Sequence, residues 1–216
     1  MSDYVLRTRA MSKKYGNSFA LENVSLDIKR GHVYGLIGLN GAGKTTFMRG
    51  VMGLITLTAG EVELFGKMGK RELEWNRRRI GQCIESPAIN PNMTAEQNLN
   101  VQRIMAGVTD KDAVGKALKT VGLEDTGKKN SKDFSYGMKQ RLAIATALIS
   151  NPEFLILDEP ANGFDPKGII EMRSLLLCLN QKQGLALLVS SHLHEKNHHS
   201  VTTEQNRFSN MNKTQT

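Results

Sequence analysis

The clearest chemistry in this chain lies in Gly38-Leu39-Asn40-Gly41-Ala42-Gly43-Lys44-Thr45-Thr46, which fits G-x-x-x-x-G-K-[ST], a phosphate-binding loop. The glycines let backbone N–H groups converge on phosphate oxygens, where a side chain would block approach. A helix N-terminus placed directly after the loop adds partial positive charge. Gly38, Asn40, Gly41, Ala42, Gly43 and Thr46 build the cradle. Lys44 is placed to reach β- and γ-phosphates, and the Thr45 hydroxyl to ligate Mg²⁺. Such a loop indicates a nucleoside triphosphate without saying which one. A second group is the acid pair Asp158-Glu159, directly after the apolar run Phe154-Leu155-Ile156-Leu157. Alone, the pair reads better as a helix-capping acid pair. Beside a phosphate loop, Asp158 is placed to hold Mg²⁺, directly or through water. Glu159 is then placed to orient and deprotonate a water attacking the γ-phosphate. His192 follows a third apolar run and could donate to the γ-phosphate and sense its loss.

These residues need a scaffold that brings several strand ends together. Val33-Tyr34-Gly35-Leu36-Ile37 reads as a short buried strand leading into the loop, and Thr46 to Met52 as the first turns of a helix. Phe154 to Leu157 and Leu185 to Val189 are two further buried strands, each ending in polar residues. Together they predict a mainly parallel sheet with its ligands at the carboxyl edge. Tyr4, Leu6, Leu21, Val24, Leu26 and Ile28 belong to alternating segments that predict short strands with a turn near Gly16-Asn17. Further strands are expected at Glu61 to Gly66 and Ile80 to Glu85. Thr94 and Gln97 form a potential capping box for helical material reaching about residue 123. Helices are expected over residues 136–150 and 168–183.

Bulk properties bound the reading. The chain has 216 residues, enough for one sizeable core with a smaller inserted subdomain. Hydrophobic residues make up 39%, which excludes wholesale disorder. No apolar run approaches the roughly 18–20 residues that span a bilayer. Met1-Ser2-Asp3-Tyr4 opens with no basic and apolar leader. Cys83 and Cys178 are far apart and form no C-x-x-C, which fits a reducing compartment. The net charge of +8, with clusters at residues 77–79 and at Lys128, Lys129 and Lys132, reads first as a solvated face, and otherwise could meet nucleic acid, anionic lipid or an acidic partner. No aromatic residues interleave these charges, which argues against nucleic acid. Residues 194–216 contain only Val201, Phe208 and Met211 as large apolar groups and predict a disordered tail after a domain over 1–193. His192, His194, His198 and His199 could gather a metal, but such a tail would not preorganise them.

Six elements in order then carry a resemblance. Phe134-Ser135-Tyr136-Gly137-Met138-Lys139-Gln140-Arg141 resembles the signature of ATP-binding-cassette (ABC) ATPases, keeping Ser135 and Gly137. Leu155-Ile156-Leu157-Asp158-Glu159-Pro160 resembles their Walker B strand. Asn162-Gly163-Phe164-Asp165-Pro166 is similar to their D-loop, and Ser190-Ser191-His192 to their switch histidine. Tyr15 sits where that family has an aromatic residue stacking on adenine. The resemblance spans residues 3 to about 193. It implies an α/β P-loop NTPase core of RecA-like type, with an N-terminal antiparallel β-subdomain and an inserted helical subdomain at about residues 86–145.

The family's mechanism follows as an expectation. Two cassettes, as a homodimer or with a second kind of cassette, would sandwich two ATP molecules. Each γ-phosphate would lie between one chain's loop and the other's Ser135 and Gly137. The motion would drive an integral membrane permease from the cytoplasmic face of a bacterial membrane. At the usual Q-loop glutamine stands Glu85, in Ile84-Glu85-Ser86-Pro87. This resembles the subfamily exporting lantibiotics and bacitracin-like peptides. A carboxylate there could ligate Mg²⁺, position water, or pair with a cation of the permease. Residues 85–93 would form the docking loop. A soluble ABC protein without a permease, or a C-terminally truncated cassette with impaired turnover, is the alternative.

Overall fold

The computed structural model describes residues 2–84 and 89–191, and the backbone of 202–205. Two long strands open the chain, β1 (Tyr4–Tyr15) and β2 (Ser18–Lys29), paired antiparallel around the Gly16-Asn17 turn. β4 (Ala59–Leu64) adds to the other edge of β1, giving a three-stranded sheet in the order β2-β1-β4. The second sheet runs β5-β6-β7-β3-β8. It comprises β3 (Val33–Ile37), β5 (Ile80–Cys83), β6 (Phe154–Leu157), β7 (Ala186–Ser191) and β8 (Thr202–Gln205). β3, β5, β6 and β7 are parallel.

The continuous apolar runs have a direct cause. Every residue of β6 is buried, because both sheet faces are covered. Strand alternation still divides the two cores. Leu155, Leu157, Leu187 and Val189 face a cluster containing Leu99, Leu118, Leu142, Ile144 and Leu176. Phe154, Ile156, Ala186 and Leu188 face the other cluster, with Phe47, Met48, Ile28 and Leu64. Truncating a core leucine such as Leu155, which is 0% exposed, would cost about 2–5 kcal/mol.

α1 (Lys44–Val51) follows β3, and α2 (Lys70–Arg77) lies between β4 and β5. Between β5 and β6 come α3 (Ala95–Met105), α4 (Ala113–Val121) and α5 (Tyr136–Leu148), where the helical subdomain was expected. The Thr94/Gln97 capping box forms: Gln97 N–H donates to Thr94 Oγ1 at 3.2 Å, and Thr94 N–H to Gln97 Oε1 at 2.9 Å. α6 (Pro166–Gln183) starts with Pro166 behind an Asp165 N-cap and ends at left-handed Gly184. At the amino edge of the sheet, Glu153 pairs with Arg30, and with Arg79 Nε at 2.6 Å. The Arg79 and Arg30 guanidinium groups hold the Glu153 carboxyl below its usual range.

One element departs from the sequence reading. The polar segment after residue 194 carries no strand pattern, yet Thr202–Gln205 runs antiparallel to β3, from Tyr34↔Gln205 to Ile37↔Thr202. A ladder at a sheet edge is made by main-chain N–H and C=O groups, so it forms without an apolar side-chain pattern. The rest of 194–216, including the histidines at 194, 198 and 199, lies outside the described residues.

Candidate nucleotide-binding site

The loop sits between the end of β3 and the start of α1. Gly41 has φ +80° and Gly43 φ +87°, both in the left-handed region open to glycine. The two differ in their surroundings. A Cβ on Gly43 would lie 2.3 Å from the Ala20 carbonyl oxygen, whereas one on Gly41 would meet nothing within 4 Å. Gly43 therefore lets the loop seat directly on the backbone of β2. Lys44 is 4% exposed as a side chain, so its ammonium depends on protein partners. Its Nζ donates to the carbonyls of Gly38 at 2.7 Å and Leu39 at 3.1 Å. It also lies 3.9 Å from Glu159 Oε1. One cation thus faces both the loop and the acid pair.

The acids are held from several elements at once. The Asp158 N–H donates to the Cys83 carbonyl at 2.8 Å, tying the end of β6 to β5. Thr45 Oγ1 donates to Asp158 Oδ2 at 2.6 Å, and Ser190 Oγ donates to Asp158 Oδ1 at 2.5 Å. The Glu159 N–H donates to Ser190 Oγ at 2.8 Å. Asn162 Nδ2 donates to Glu159 Oε2 at 3.2 Å. Glu159 has φ +50°. That conformation costs a non-glycine residue about 1–3 kcal/mol and concentrates at functional sites. Burial, with the Asp158 charge second, pushes the Cys83 thiol up to about 11, so it stays neutral at physiological pH.

The donor set fits Mg²⁺ with a nucleotide. Thr45 and Asp158 present hard oxygens in mutual contact. Among the described residues no group of three or more His, Cys, Asp or Glu could hold a metal alone. Mg²⁺ characteristically takes one or two protein oxygens and completes its shell with phosphates and water.

Thr45, Asp158, Glu159 and Asn162 line a cleft of about 680 Å³, which Ile89, Pro91, Lys132 and Lys139 also line. Ser135 and Gly137 are not among its lining residues. They line an adjoining cleft of about 340 Å³ with Phe164 and Asp165, and Tyr136 between them lines both clefts. Ser135 is the N-cap of α5 and accepts from Met138 N–H at 3.2 Å. Tyr15 is 51% exposed at the hairpin end, with Lys13 Nζ 4.7 Å from its ring centroid. It pairs with Ser18, close along β2 to the Ala20 carbonyl on which Gly43 rests. Glu85 and His192 lie outside the described residues.

The motif reading gave no role to Ser190 or Asn162. Ser190 had a usable signal. It follows Ala186 and Leu188 at spacing two, so it is a polar residue on an apolar face of a buried strand.

The description ABC transporter belongs to the family model matching residues 21–162. The bacitracin transport ATP-binding protein BcrA of Bacillus licheniformis is 42% identical over 189 residues, covering 88% of this chain and 62% of that protein. The chain therefore spans only about 62% of the length of this relative. The lantibiotic transport ATP-binding protein SrtF of Streptococcus pyogenes is 41% identical over 192 residues, covering 88% of this chain and 80% of its own. Among solved structures, cbiO1 of Clostridium perfringens, part of the ABC transporter complex cbiONQ, superposes with TM-score 0.77 at 28% identity, over 89% of this chain and 80% of that one. An ATP-binding cassette solved as a dimer in a post-hydrolysis state with ADP and Pi gives TM-score 0.75 at 28% identity, over 88% of each chain. With a phosphate loop, acid pair and signature on this fold, and a family match over residues 21–162, the chain belongs to the ABC transporter family.

Proposed function

We propose that this chain binds ATP with Mg²⁺ and hydrolyses it to power a separate membrane permease that exports a peptide antibiotic. The contact set joining Lys44, Thr45, Asp158 and Glu159 carries the reading. The loop N–H groups and Lys44 would hold the phosphates, and Thr45 and Asp158 would hold Mg²⁺. When bound, the ion would neutralise negative charge developing on the phosphates. Glu159 takes a proton from water as its oxygen bonds to the γ-phosphorus. The bond from that phosphorus to the bridging oxygen breaks, releasing ADP and phosphate. His192 is assigned to the same γ-phosphate by its motif position, and Glu85 to Mg²⁺ or the attacking water.

Ser135 and Gly137 line a different cleft from Thr45 and Asp158, which favours a dimer in which each signature completes the other chain's site. The peptide class rests on the bacitracin and lantibiotic transport of BcrA and SrtF and on Glu85 in its loop. No helix among the described residues is long and apolar enough to cross a membrane. Phosphate release by the purified chain tests the activity. Glu159→Gln should keep nucleotide binding and lose turnover by at least about a hundredfold. Equal turnover in the two proteins would remove Glu159 from the mechanism.

A further inference from the structure

We propose that Ser190 is a positioning residue of the nucleotide site, acting through both carboxylates at once; this rests on the reading of Asp158 and Glu159 above. Its hydroxyl is used in both directions. The O–H donates to Asp158 Oδ1 at 2.5 Å, and the oxygen accepts the Glu159 N–H at 2.8 Å. Ser190 is 1% exposed, so water is poorly placed to replace either bond.

Two consequences follow from that geometry. Asp158 receives an O–H on each oxygen, from Thr45 and from Ser190, so its carboxylate plane is fixed between α1 and β7. Glu159 sits at φ +50°, a backbone state that a glutamate keeps only when neighbours hold it. Ser190 binds the amide of that residue, and the Glu159 carboxylate is aimed by that backbone towards Lys44 and Asn162. Losing the hydroxyl leaves the Glu159 amide without this acceptor and lets the backbone relax towards φ below zero. The carboxylate then swings away from its working position while the phosphate loop is untouched. Ser190 also stands near the end of β7, just before His192. Displacement of β7 would therefore be felt at both acids through one side chain.

The test uses the full chain with Ser190→Ala and Ser190→Thr, and reads amide hydrogen exchange first. In Ser190→Ala the Glu159 amide should exchange at least about tenfold faster, while the amides of Leu155 and Leu187 in the sheet stay unchanged. Ser190→Thr, which keeps the hydroxyl, should restore protection. Steady-state ATP turnover is read second. Here kcat should fall about ten- to a hundredfold in Ser190→Ala with KM for ATP within about twofold, and recover in Ser190→Thr. Unchanged Glu159 exchange in Ser190→Ala overturns the proposal. So does faster exchange spread evenly over β6 and β7, which would mark a general packing role. If the parent chain shows no turnover, the ATPase reading fails, and the exchange result still decides the position of Ser190.

Discussion

Gly41 and Gly43 offer a matched pair of alanine substitutions that separate backbone strain from steric collision. Both have positive φ, so each alanine pays the left-handed penalty of about 1–2 kcal/mol. At Gly41 that is the whole cost, because its Cβ meets nothing within 4 Å. At Gly43 the Cβ would sit 2.3 Å from Ala20 O, about 1 Å short of ordinary contact, and 3.0 Å from Leu21 Cδ2. A carbonyl in a strand cannot rotate aside like the end of a flexible side chain. Overpacking of this kind adds about 1–3 kcal/mol. Gly43→Ala should therefore destabilise the fold by about 2–5 kcal/mol and Gly41→Ala by about 1–2 kcal/mol. Relief comes only by lifting the loop away from β2, which misaims the N–H groups of the cradle. Affinity for a fluorescent ATP analogue should fall at least about tenfold more in Gly43→Ala than in Gly41→Ala. Denaturant melts of the same proteins give the stability difference. Equal losses in the two variants would refute the reasoning, because the contact with β2 would then carry no weight.

Other expectations follow from the same geometry. The depressed Glu153 pKa contributes stability that is present above the unfolded carboxyl pKa and is lost as pH falls through the lower folded value. Melts of the parent and Glu153→Gln should therefore converge in strong acid and separate towards neutrality, by under about 1 kcal/mol given its exposure. Cys83, pushed up to about 11, should alkylate at pH 8 at least about a hundredfold more slowly than an ordinary thiol, read by mass spectrometry of the intact fold. Asp165→Ala removes the acceptor that caps α6 through Gly168 N–H at 3.0 Å, and should cost about 0.5–2 kcal/mol in a denaturant melt. On the proposed function, Glu85→Lys should abolish peptide-antibiotic resistance when the chain is co-expressed with the proposed partner permease, with ATP binding retained. Full resistance would count against docking through residues 85–93.

Much of this molecule was legible because its signals are local. The phosphate loop follows a five-residue apolar strand and opens a helix, and the structure has β3, the loop and α1 in that order. Thr94 and Gln97 announce the start of α3 through their own side chains. The apolar runs at β6 and β7 identify strands buried on both faces. What stayed hidden depends on partners distant in sequence. Nothing near Glu159 signals φ +50°, since that state is held by contacts including one from Ser190 on another strand. The requirement at Gly43 is set by Ala20 on β2, which local spacing does not reveal. Thr202–Gln205 joins the sheet by main-chain pairing, which hydrophobic periodicity does not report. The separation of Ser135 and Gly137 from Thr45 and Asp158 is likewise a property of the folded subdomains.

The left-handed backbone at Glu159 also bears on how this chain would respond to selection for heat resistance. Glycine takes that conformation without strain, and asparagine tolerates it better than most other residues. A screen that rewards only survival on heating would therefore favour replacing the residue proposed to activate the attacking water. Thermostabilised descendants carrying Gly or Asn at position 159 would be well-folded nucleotide binders with little hydrolysis. On the proposed role of Glu159, stability and activity are opposed at this one residue, so engineering of this scaffold would hold position 159 fixed and seek its gains elsewhere.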